Sequence, residues 1–138
     1  MDILINILIF IHIFGLVLGM GSGMAMAAAN RLVTEPTTGF EKLTDMLVRN
    51  GHVGLALLWI SGPLVVWLKY GGFSGFGFWF WLKIAFVIAL SAAVGMGAAS
   101  YRKARAGDAE AARRTSMTGM LSGLSGLGAI FAAIFAFN

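Results

Sequence analysis

A chain of 138 residues that is 59% hydrophobic and 12% charged, with a mean hydropathy of +0.86 and a net charge of +4, is too apolar to stay dissolved as one small globule. It reads as an integral membrane protein. The absence of cysteine excludes disulfides, iron–sulfur clusters and thiolate zinc sites, and leaves the redox compartment undefined.

Four apolar runs, residues 3–28, 51–68, 76–99 and 117–137, are long enough to cross a hydrocarbon core, which takes roughly 20 helical residues. They are continuous rather than alternating, and an open sheet would leave backbone groups unpaired in lipid. The expected fold is therefore all-α, a four-helix membrane bundle in one domain without internal repeats. AMAAA at 25–29 offers the small residues of a signal cleavage site, but MDILIN carries an acid and no base. The run is also about twice the length of a signal's apolar core, so the first segment is read as an uncleaved span.

In the 28–50 connection, a Pro-Thr-Thr-Gly turn is followed by Phe40, Leu43, Met46 and Leu47 at helical spacing. This piece lies at the membrane interface or extends the second helix. Ser61-Gly62-Pro63 is expected to bend the second span and free one or two carbonyls. YGGFSGFGFWFW, residues 70–81, is a turn that merges into an interfacial aromatic belt. The third and fourth spans carry small residues in steps of three or four: Ser91, Gly95 and Ala99, then Gly119, Gly123 and Gly126 with Ser122 and Ser125 between. That is a pattern for close helix packing, and its grooves also suit a planar cofactor. Between these spans, SYRKARAGDAEAARRTS reads as two helix ends around a Gly-Asp turn.

Arg31, Lys42, Arg49, Arg102, Lys103, Arg105, Arg113 and Arg114 all fall in the 28–50 and 99–116 connections, against Lys69 on the other side. The bias puts both termini outside and both charged loops in the cytoplasm. The positive charge is then topological, with membrane lipid as its partner, and no nucleic-acid binding is read from it.

Ionisable groups inside a bilayer are costly and mark function. Here they are His12, His52 and Lys83. At about 1.5 Å of rise per residue, His12 lies about nine residues in from the outer end of its span and Lys83 about seven, at similar depth. His52 starts the second span at the inner interface, roughly 15 Å from His12 along the membrane normal. A bis-histidine heme would therefore need a shifted first helix or a dimer partner. On its own, His52 is an interfacial residue satisfied by water and backbone, or a metal ligand.

Leu8, Gly15, Gly19, Ser22 or Gly23, and Met26 share the face of His12. A histidine above a glycine groove suits a porphyrin, because the imidazole supplies an axial nitrogen and the missing side chains admit a flat ring. The competing reading is a histidine hydrogen-bonded across helices, with glycines that serve packing. Lys83, after Trp79, Phe80 and Trp81, either snorkels to the interface or works with His12. In the second case it holds a porphyrin propionate, binds an anionic substrate or moves a proton, with Asp2 and Asn6 on the same outer side. Met20, Met24, Met26, Met46, Met96, Met117 and Met120 gather toward the inner end with His52. Their chemistry suits Cu(I), but the spacing matches no ligand motif and favours packing.

WFWLKIAFVIAL, residues 79–90, sets a lysine after a tryptophan-leucine start. Together with His12 and the glycines after it, Arg31 at the inner end, the basic SYRKARAG and a final apolar helix, it resembles the membrane protoporphyrinogen oxidase family of bacteria. ISGPLVVW at 60–67 resembles the Gly-Pro-like break of copper-resistance D-type membrane proteins, which share the layout. The resemblance covers most of the chain by layout. It implies a multi-pass protein of the bacterial inner (cell) membrane that binds heme b, with His12 and Lys83 as the functionally important pair and Lys83 as the catalytic residue.

The expected function is a heme b protein of redox type, in electron transfer or in porphyrinogen- or quinone-linked oxidation. His12, Lys83, Gly15 and Gly19 would hold the cofactor, and His12 or His52 the metal. Two other readings stand: a copper or small-solute transport module built on the inner Met and His52 cluster, and a non-catalytic subunit of a homodimer or larger membrane complex. The spans hold no Ser-His-Asp set, GxxxxGK[ST] loop, HExxH or carboxylate cluster, which argues against hydrolases and NTPases.

Overall fold

The computed structural model describes residues 1–32 and 38–137. They form α1 (Asp2–Leu32), α2 (Thr38–Tyr70), α3 (Phe78–Arg105) and α4 (Ala109–Ala136). All four helices are long and apolar enough to cross a membrane, and there is no strand among the described residues. The protein is an all-α, four-helix, multi-pass membrane bundle. The helices outrun the apolar runs at the end that carries the charged connections: Phe40, Leu43, Met46 and Leu47 belong to α2 itself. The turn before them lies in part outside the described residues. α2 passes through Pro63 as one helix.

At the opposite, aromatic end, Gly71 and Gly75 adopt φ of 74° and 89°, a left-handed conformation open to glycine at little steric cost. Beside this turn, Phe76 stacks on Phe80 at 4.1 Å and Tyr70 meets Phe137 at 5.3 Å. Between α3 and α4 the Gly-Asp turn is present. Gly107 has φ 106°, and the Asp108 carboxylate caps α4 by accepting from the Glu110 and Ala111 amides at 3.0 and 3.2 Å.

Laterally the helices follow the order α2, α1, α4, α3. Lipid provides no hydrophobic drive between helices, so close approach and dispersion must hold them together. α1 meets α2 backbone to backbone: a Cβ on Gly54 would stand 2.6 Å from the Gly15 carbonyl oxygen and 3.0 Å from Gly19 Cα. α1 meets α4 at Gly119, where a Cβ would collide with the Gly23 carbonyl. Met20 and Met24 fill the notches left by Gly126 and Gly123, and Phe86 of α3 fills that of Gly128. The fourth-span glycines are thus close-packed. The Ser91, Gly95, Ala99 stripe is not, because Gly95 and Ala99 are exposed with open space in front of Gly95.

α2 and α3 approach mainly through side chains. In mid-bundle, Trp59 Nε1 donates to Ser91 Oγ at 3.0 Å. At the charged end, the Tyr101 hydroxyl donates to Asp45 at 2.8 Å and lies 2.7 Å from Thr44 Oγ1, and Arg105 donates to Asp45 at 2.6 Å and to Glu41 at 3.4 Å. Thr44 is 1% exposed, whereas the ion pairs are open to solvent. Tyr101→Phe is therefore expected to lower the unfolding free energy by about 1 kcal/mol. Arg105→Ala should show an effect that fades as salt rises, because exposed pairs are screened. Chemical unfolding of the detergent-solubilised protein at two salt concentrations separates the two outcomes.

Candidate functional site

His12 and Lys83 come from different helices and line the same space. Two adjoining, half-open cavities share His12, Ile13, Lys83 and Ala133. Their walls are mostly apolar: Ile9, Val65 and Val66 in one, Leu16, Val87 and Ile130 in the other. Tyr70 and Phe137 stand at the aromatic end of the first.

α2 gives the imidazole its seat. His12 Nδ1 lies 3.0 Å from Ser61 Oγ, and the Ser61 hydroxyl donates to the Leu57 carbonyl. A serine has one proton to give, so with that proton on Leu57 its oxygen accepts from His12. The chain of bonds fixes the Nδ1–H tautomer and leaves the Nε2 lone pair free. His12 also has a hydrogen bond to the Leu58 backbone, and Ser61 is its only side-chain partner among the described residues. Gly62 makes the seat shallow enough, since a Cβ there would lie 3.1 Å from His12 Cε1.

Lys83 sits across the cavity with Nζ 4.7 Å from the centre of the Phe137 ring, a cation–π contact. It has no hydrogen bond or ion pair among the described residues. In particular, neither Asp2 nor Asn6 bonds it. Intramembrane ammonium groups as a rule pair with counter-charges or ligands.

The remaining predicted residues fall elsewhere. Gly15 lies on the His12 face, but that face is covered by α2: a Cβ on Gly15 would stand 2.8 Å from the Gly54 carbonyl oxygen. It lines neither His12 cavity. Gly19 and His52 line a third cavity toward the charged end, so the two histidines are not brought together. His52 is exposed, with Nδ1 donating to the Val48 carbonyl at 2.8 Å. The methionines do not converge on it. Met26 shares its cavity, whereas Met20, Met24 and Met120 line others, and Arg31 donates to the Met120 sulfur. No group of three or more His, Asp or Glu side chains suited to a metal occurs among the described residues.

Ser61 and Gly62 were legible only as a helix irregularity, yet they hold the central histidine. The signal that could have found them is depth. His12 lies about ten residues from the start of α1 at Asp2, and Ser61 about nine from the end of α2 at Tyr70, which in antiparallel helices is one level. Comparison with known proteins adds no relative: no protein family, curated protein or solved structure matches the chain.

Proposed function

We propose that the protein is a heme b-binding membrane protein of redox type, in electron transfer or in porphyrinogen- or quinone-linked oxidation. It would lie in a bacterial inner membrane with its charged end in the cytoplasm. The observation that carries the reading is the pair of free groups facing one apolar cavity: the Nε2 lone pair of His12 and the unpaired ammonium of Lys83. These fit the donor needs of a porphyrin, which are one axial nitrogen and a cation for a propionate. Bound heme supplies a one-electron iron couple whose potential depends on axial ligand and burial. With heme bound, His12 would offer its nitrogen, Ser61 would hold the tautomer, Lys83 would pair with a carboxylate, and the apolar walls would surround the ring. The copper reading has no comparable support, because the methionines are dispersed over several faces.

The test is a reduced-minus-oxidised absorption spectrum of protein purified after heme-replete expression. A Soret band is expected in the wild type. His12→Ala should lower bound heme by more than about tenfold, since losing a ligand costs at least what losing its supporting partner does. Lys83→Met should keep the band while weakening retention. A wild-type protein without a Soret band overturns the proposal.

A further inference from the structure

The two cavities that meet at His12 differ in chemistry along the membrane normal. The one reaching toward mid-bundle is walled by Leu16, Val17, Met20, Leu58 and Ile130, and among the described residues Lys83 is its only charged side chain. The one toward the aromatic end holds two cations, Lys83 and Lys69, with Tyr70 beside them and no acidic side chain. His12 stands at the junction and lines both.

Topology does not account for Lys69. Eight of the ten basic side chains lie in the two connections at the charged end, whereas Lys69 flanks a span at the aromatic end, where a positive charge is disfavoured. Nor does an ion pair account for it. Lys69 has no hydrogen bond or salt bridge among the described residues, Asp2 included, and its ammonium lies 5.4 Å from the centre of the Tyr70 ring. Lys83 has the Phe137 ring in the same way. Lys69 precedes the end of α2 by one residue and Lys83 follows the start of α3 by five, so their levels differ by roughly 6 Å at the helical rise per residue. Each ammonium rides on a flexible four-carbon stem. One molecule with two carboxylates on a single edge and an apolar body matches this layout: cations at one end of the space, aliphatic walls at the other, and a histidine between them.

We infer that Lys69 is the second carboxylate anchor of the heme site, and that the ring lies with both propionates toward the aromatic end and its apolar edge toward Leu16 and Met20. The inference rests on the heme reading and adds to it a residue and an orientation. The reverse orientation would put two carboxylates among aliphatic walls, where ionised groups are costly unless paired. With the propionates outward, Lys83 and Lys69 take one each.

Release of heme from the detergent-solubilised protein to an excess of apomyoglobin, followed in the Soret region, tests the assignment. Lys69→Met is expected to speed release about tenfold, the equivalent of one charge-assisted hydrogen bond, and Lys69→Arg should stay near the wild type. The same measurement with heme dimethyl ester, whose side arms carry no charge, separates anchoring from packing: wild type and Lys69→Met should release the ester at the same rate. Should Lys69→Met fail to fold, Lys69→Gln carries the same comparison. Equal release of heme by wild type and the folded variant overturns the inference. Equal acceleration for heme and for its ester also overturns it, because the effect would then come from packing. Both results leave the heme reading standing, whereas a wild type without a Soret band overturns the heme reading and the Lys69 assignment together.

Discussion

Gly54→Ala is expected to destabilise the bundle by about 3 kcal/mol, at the upper end of overpacking costs. The added methyl would meet the Gly15 carbonyl oxygen and Gly19 Cα, backbone atoms that cannot swing aside like the tip of a side chain. α1 and α2 must then move apart along their length, and the gain in helix propensity of roughly 1 kcal/mol offsets only part of the loss. Gly95→Ala is the matched control, with the same propensity gain and nothing in front of the methyl. Unfolding of both variants in detergent, followed by circular dichroism, should separate them by several kcal/mol in opposite directions from wild type. Equal stability would mean that α1 and α2 are not in backbone contact at Gly54.

Ser61→Ala is expected to weaken heme retention by roughly 10- to 100-fold, the range found when the partner that orients a metal-binding histidine is removed. The substitution removes the side-chain acceptor at His12 Nδ1, leaves only the Leu58 backbone bond, and weakens the preference for one tautomer over the other. Part of the imidazole population then carries its proton on Nε2, where no lone pair is left to bind. A merely structural role for Ser61 would lower stability without moving the redox potential of the bound cofactor, so the potential is the deciding measurement. Gly62→Val should act in the same direction by displacing the ring that lies 3.1 Å from the first added carbon. Wild-type affinity and potential in Ser61→Ala would reduce the His12 to Ser61 bond to an interhelical tie.

The four helices were legible because apolar length is a one-dimensional property, and so was the level shared by His12 and Lys83, which needs only a residue count and a rise per residue. The rotational phase of one helix against another was not. Gly15 was correctly placed on the His12 face, but whether that face meets a cofactor or a neighbouring backbone depends on where Gly54 arrives. The same limit hid the α2 seat: Ser61 and Gly62 look like companions of Pro63 until α1 is docked beside them. The polar ties from Glu41, Thr44 and Asp45 to Tyr101 and Arg105 join residues 56 to 64 positions apart. Each looked locally like part of an ordinary charged helix end.

The α1 to α4 seam constrains how the sequence can drift. Met20 fits because residue 126 has no side chain, and Met24 because residue 123 has none; a Cβ at either glycine would lie 2.7 Å from methionine atoms. Filler and notch therefore behave as a single inherited unit. An alanine at 126 or 123 requires the facing methionine to swing aside or shorten, and a shortened methionine leaves a void until the glycine grows. Descendants of this chain should exchange volume across the seam in matched steps, keeping the spacing of α1 and α4 while the residues that set it change.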